Sequence, residues 1–355
     1  MSMVRRRAFS LILALLLLWS AIPAPAARGA SGMDQAKAAL EQAMAEVGEK
    51  KGSQALLVLT NAAYARLDGD SAVGFLDVAT AVTGATFGAR SLLGVHSSML
   101  SPLWFSLYSP ASNTLVYAVQ KDGAFAAQKI DANPGHLFAP DNWKAAGSGI
   151  IGGSLFSVVS ISLAWAVTPD YMSLQAASFH DHFCPGVNYG LIIGDYIEKR
   201  FPLGPGDAYV FAVAPSRCAA DALQVMYNTT TGKGGDYGMG ISEADLAKYA
   251  VNGVKPTAVV MRVNRKNDVC DALALGIDSA RLYADIKMSE TELSPAGGGQ
   301  NPLFYIARTR ASREMCRLPK EQRIGYVVEL AKTSGKADLA DKITANDPYA
   351  KVFGK

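Results

Sequence analysis

The chain has 355 residues, half of them hydrophobic, with 34 Lys and Arg against 31 Asp and Glu. The basic excess sits in Arg5, Arg6 and Arg7; without them the balance is even, which excludes an electrostatic case for nucleic acid or an anionic membrane as partner. Four cysteines are too few for a disulfide scaffold of this size, and the hydrophobic content allows a sizeable core without such staples.

The first segment reads as a signal peptide. Arg5 to Arg7 form a basic n-region, residues 8–22 form a leucine-rich apolar run, and Ala24, Pro25 and Ala26 supply the small residues of a cleavage site. The apolar run is short for an uncleaved anchor. The pair Arg6-Arg7 fits a twin-arginine signal loosely, whereas the leucine content favours the general secretory route. Either route predicts a periplasmic or secreted protein, and about 330 residues remain, room for two ordinary domains.

Periodicity predicts an amphipathic helix over 33–47, a buried strand over 55–60 and a helix over 72–82 that stops at Thr83-Gly84. Residues 103–108 and 115–119 read as a hairpin, and 133–135 as a turn. An uncharged stretch, 145–169, is long enough to span a bilayer. Its glycine and serine content and its balanced flanks instead predict a buried connecting element, with no stable membrane span. Beyond it come a helix over 186–200, a strand over 208–213, a helix from Cys218 to Tyr227, a strand over 258–263, a helix over 268–276, a loop over 294–301 and a late helix over 321–333. Residues 74–84 echo 222–232, each following a helix and a strand, which raises an internal duplication beside the plainer view that such units resemble one another. The predicted fold is α+β, a mixed sheet with helices packed on it in two related halves. Its organisation would be an N-terminal domain at 27–144, an apolar connection at 145–170 and a second domain at 171–355.

Chemistry concentrates at His180, Asp181, His182, Phe183 and Cys184, which use two of four histidines and one of four cysteines. In an extended segment His180, His182 and Cys184 share one face, and imidazole with thiolate is the ligand set of zinc and similar divalent transition metals. Pro185 and Gly186 predict a helix start with Cys184 as N-cap, where amide donors and the helix dipole would depress its pKa. Gly186, Gly190 and Gly194 form a smooth stripe suited to close packing against a sheet or a dimer partner. Cys218 begins a second helix, with Asp221 one turn on, able to orient a histidine. Cys270 and Cys316 can pair or remain buried thiols, and a Cys184–Cys218 disulfide would compete with metal. His96 and His136 read as surface or hydrogen-bonded residues, His96 gaining interest if the two halves pack together.

Three ordered motifs carry a family resemblance. Phe179, His180, Asp181, His182, Phe183, Cys184, Pro185 and Gly186 match a Phe-His-Gly-His-x-Cys-Pro-Gly run. Cys218, Asp221 and Ala222 match a Cys-x-x-Asp-Ala helix, and Thr230 to Gly234 match a Thr-x-Gly-Lys-Gly ending. The second half therefore resembles the FmdE family, named for a protein associated with formylmethanofuran dehydrogenase. The resemblance implies an α+β domain, a homodimer, and a zinc-binding cluster of His180, His182, Cys184 and Cys218, with Asp221 and Lys233 nearby; Asp181, outside the family pattern, adds a carboxylate beside the cluster or alters the turn. Asp181 replaces the family's glycine, and a cysteine often found before the Thr-x-Gly-Lys-Gly ending is absent. The expected function is an exported metal-binding protein. The alternative is a metal- or thiolate-dependent enzyme for a small C1-type or cofactor-like molecule, using Cys184 as nucleophile or ligand, His180 or His182 as proton carrier and Lys233 as anion clamp.

Overall fold

The computed structural model describes residues 31–167 and 169–355; the expected signal peptide lies outside the described residues. The first half opens on helix α1, Gly32–Val47, where Ser31 and Asp34 form a capping box and Ala36, Leu40, Ala43 and Val47 fall on the buried face. The fully buried strand β1, Leu57–Thr60, follows, then α2, Phe75–Thr83, which ends on Gly84 in the left-handed region. Strand β2, Leu92–Gly94, runs parallel to β1. On the other side of β1 come β3 (Trp104–Ser109), β4 (Thr114–Lys121) and β5 (Ala124–Asp131), each antiparallel to its neighbour. Asp122 and Gly123, both at positive φ, close the β4–β5 hairpin in two residues.

Two helices lead out of this half: α3, Leu155–Trp165, and α4, Tyr171–Phe179. The uncharged stretch is thus a buried helix, and no helix among the described residues is long and apolar enough to cross a membrane. The predicted turn at 133–135 opens a short helix, Pro134–Leu137, capped by Asn133.

The second half repeats the plan. Helix α5, Pro185–Arg200, precedes β6 (Ala208–Val213), then α6 (Ala219–Tyr227), then β7 (Asp236–Gly238) parallel to β6. Strands β8 (Pro256–Asn264), β9 (Val269–Ile277) and β10 (Val327–Gly335) add in antiparallel order on the far side. The sheet orders are β2-β1-β3-β4-β5 and β7-β6-β8-β9-β10. They have the same order and the same directions, so the molecule is α+β with two related halves. The equivalence pairs α2 with α6 and Gly84 with Asn228, both left-handed at a helix end, so the echo between 74–84 and 222–232 is displaced by four residues.

One predicted helix is a strand, and a second is a helix only in its first turn. Residues 268–276 form most of β9, a central strand buried along nearly its whole length, so the alternation that marks a half-exposed strand is absent. Arg262 on β8 faces Asp271 on β9 and pairs with it at 2.8 Å. Residues 321–333 divide into a short helix, Lys320–Ile324, and the edge strand β10.

Four buried clusters give the layering. Helices α1 and α2 cover one face of the first sheet. The other face packs on α3, α4 and the start of α5, with Phe183 and Cys184 in the same cluster. Helices α5 and α6 then cover one face of the second sheet, together with a further helix, α7 (Pro302–Cys316). C-terminal helices close the outer face. The turn carrying the two histidines and Cys184 therefore sits where the halves meet.

Candidate metal centre

Residues 180–184 are a turn rather than an extended segment. His180 closes α4 in helical conformation, Asp181 takes φ 68°, and Cys184 returns to extended backbone as N-cap of α5. The left-handed Asp181 explains why glycine suits that position, since only small polar residues otherwise tolerate it. Phe183 turns into the core, and its amide donates to Ser160 Oγ at 2.9 Å. His180 and His182 are left side by side, ring centroids 4.3 Å apart.

Cys218 arrives from α6 through the glycine stripe. A Cβ on Gly186 would stand 2.8 Å from Cys218 Cβ, and one on Gly190 would stand 2.5 Å from the Ala219 carbonyl oxygen. The stripe therefore packs against α6, a helix of the same half, rather than against the sheet or a partner. Without it the N-terminal ends of α5 and α6 could not approach closely enough to face their cysteines. One ligand atom from each of His180, His182, Cys184 and Cys218 lies within 4.8 Å of the others, a group that can hold a metal ion.

Each histidine is anchored on the ring nitrogen facing away from the sulfurs. His180 Nδ1 meets Asp221 Oδ2 at 2.6 Å, and His182 Nδ1 meets Asp181 Oδ1 at 2.6 Å. Carboxylate–histidine pairs of this kind fix tautomer and orientation at metal sites. His180 Nε2 is buried and makes no well-formed hydrogen bond among the described residues, although the Cys218 sulfur is near enough to act on the ring. A buried ring nitrogen left over beside two sulfurs fits a metal: once an ion displaced their protons, the donor set would be two neutral imidazoles and two thiolates.

The expectation for Cys184 is corrected. Its thiol is held well above the ordinary range, first because it donates to Cys218 and then because it is buried; the Gly186 and Val187 amides pull weakly the other way. Cys218 is the sulfur held low, by that hydrogen bond first and, against burial, by His180 and His182. Burial opposes charge on His180, but Asp221 and then Cys218 outweigh it and raise its pKa to about 10. All four cysteines are free.

Other predicted residues lie elsewhere. Lys233 donates from Nζ to the carbonyl and side chain of Asn228, tying down the end of α6. His136 contacts Asn142 on the surface. His96 does face the other half: its amide donates to Ser178, and its ring stacks on Phe179 with centroids 5.3 Å apart. Sequence reasoning missed Phe156 and Tyr305, which shield His182 as a row of tilted rings. It also missed Asp236, whose buried carboxyl is raised to about 7, chiefly by burial and then by Asp221.

The second half is thus an α+β domain whose His and Cys side chains converge on one point able to hold a metal ion. Residues 179–261 match the family model described as FmdE, Molybdenum formylmethanofuran dehydrogenase operon, so this segment is an FmdE-family domain, as the three motifs implied. It contains all four clustered residues but stops within β8. Comparison with curated proteins and with solved structures gives no match.

Proposed function

We propose that this is an exported protein that holds a divalent transition metal, zinc, through His180, His182, Cys184 and Cys218. The observation that carries the reading is the aim of His180: Asp221 fixes one ring nitrogen, and the other is buried without a well-formed hydrogen bond beside both sulfurs. Two cysteines and two histidines complete a tetrahedral zinc shell. Tight coordination by four protein ligands suits structure, storage or delivery. Three ligands would leave a position for Lewis-acid chemistry. Export is supported by the basic and apolar leader of residues 1–26.

Metal content and free thiols are to be measured on protein recovered from the native compartment, with its N-terminus sequenced. Cys184→Ser and Cys218→Ser are expected to lose the metal; unchanged content in both sinks the reading. Metal kept in His182→Ala but lost in the cysteine variants indicates a three-ligand site. That outcome would favour the second reading, a metal- or thiolate-dependent enzyme, which the cleft opening onto both cysteines supports.

A further inference from the structure

The two halves differ most between their last two strands. Asp122 and Gly123 suffice between β4 and β5, whereas residues 278–326 intervene between β9 and β10. This insertion lies outside the matched family segment. It walls a cleft of about 750 Å³ that Cys184 and Cys218 also line.

Arg308, on α7, lines the cleft from the insertion. Its Nη1 donates to the carbonyls of Leu293 and Phe304, and its guanidinium lies over the Phe304 ring, 3.3 Å from the centroid. Among the described residues no carboxylate pairs with it, and Nε and Nη2 remain as donors. The acids of the same cleft are engaged. Glu243 holds Arg217 and Lys255, Glu290 accepts from Ser279, and Asp278 caps the following helix through the Arg281 amide. A divalent ion would cancel two thiolates. Arg308 would then stand as a half-buried cation with no carboxylate among the described residues in ion-pair contact, lining the cleft with Tyr189 and Tyr283, whose hydroxyls meet at 2.6 Å. With Glu290 and Asp278 still charged on the same wall, a single guanidinium suits a monoanion better than a dianion, and its free Nε–Nη2 edge suits a planar carboxylate. Val213, Ile277 and Leu293 supply apolar wall for the rest of the molecule.

We propose that this cleft binds a small organic monocarboxylate, with Arg308 as the group that fixes its charge. The proposal deepens the metal reading, which supplies the cancellation of the thiolate charge. Its test is calorimetric titration of the purified full chain with benzoate, with benzamide as the neutral isostere and with inorganic phosphate. Benzoate is expected to bind saturably and the other two at least about tenfold more weakly, the scale of a lost charged hydrogen bond. Arg308→Gln should lose about tenfold or more in benzoate affinity at unchanged metal content in a protein that still folds, and Arg308→Lys should recover part of it. Equal benzoate affinity in Arg308→Gln, equal binding of benzamide, preference for phosphate, or no saturable benzoate binding overturns the proposal. Metal is assayed on the same samples. Metal-free protein that still binds benzoate through Arg308 sinks the metal reading alone; metal-loaded protein indifferent to Arg308 sinks this one alone.

Discussion

Gly190 offers the sharpest test of how the cluster is assembled. Alanine there would place its Cβ 2.5 Å from the Ala219 carbonyl oxygen and 2.7 Å from Ala222 Cβ. Both obstacles belong to α6 itself, backbone or a methyl fixed to it, so no side-chain rotation relieves them. Ordinary contact requires a separation near 3.5 Å, so α6 must retreat by about 1 Å. Removing a helical glycine stabilises by about 1 kcal/mol, and overpacking costs about 1–3 kcal/mol, so the net loss of stability is small. The metal site has far less room, because ligand distances tolerate only about 0.2 Å. Gly190→Ala should therefore fold, melt within a few degrees of the wild type, and bind zinc at least about tenfold more weakly in a competition with a chromophoric chelator. Gly194→Ala is the control, since its Cβ would meet the flexible end of Met226, which can rotate away. Wild-type zinc affinity in Gly190→Ala, or an equal loss in Gly194→Ala, refutes the claim that the stripe sets the approach of Cys218.

Asp221→Asn removes the charge that orients His180, and zinc affinity should fall about 10- to 100-fold in the same competition assay. Asp181→Gly should raise the melting point of metal-free protein, relieving a left-handed residue worth about 1 kcal/mol, yet weaken zinc binding because His182 loses its partner. A rise in both properties would show that Asp181 does not serve His182. Asp236 gives a pH signature: its carboxyl moves from 3.8 when free to about 7 in the fold. The folded state therefore binds this proton more tightly. The contribution is fully present below the unfolded value, declines as pH rises, and is lost above about 7, a cost on the order of 4 kcal/mol. Denaturant unfolding at pH 5 and pH 8, which spans the upper part of that range, should show a decline of about 2–3 kcal/mol in the wild type and much less of it in Asp236→Asn; equal declines would remove the basis for it.

The cluster was legible because its residues are rare and local. Two histidines and a cysteine within five residues admit few structural explanations, and Cys218 carried its own motif and a helix start. The geometry was less legible. Extended alternation would put His180, His182 and Cys184 on one face, whereas they converge because Asp181 reverses the chain at φ 68°. Which sulfur holds the proton depends on Cys184 and Cys218 touching across two helices, a contact no local pattern encodes. The strands β9 and β10 read as helices for different reasons. In β9 burial on both faces erases the period of two, and β10 is an edge strand whose middle residues, Glu329, Leu330, Ala331 and Lys332, have good helix propensity. With both misread, the insertion between them had no boundaries, and Arg308 and Tyr283 had no site to belong to.

The shared topology of the two halves bears on what a metal would do here. In both halves a long helix packs on a shorter one that follows the first strand of the sheet. The N-caps at the corresponding places are Ser31 and Gly74 in the first half, Cys184 and Cys218 in the second. The first pair of helices shares an apolar cluster that includes Leu40, Ala43, Phe75 and Ala79. The second pair has its own apolar contacts, including Ile193, Ile197 and Leu223, as well as the glycine stripe. Among the described residues the first half reaches the same sheet order with no His and Cys group placed to hold a metal, so the fold does not call for a staple there. The second half differs by its ligands at the helix ends and by an insertion that builds a cleft over two of them. These additions sit together at one place on a shared scaffold, and that coincidence argues for a working site rather than a structural one.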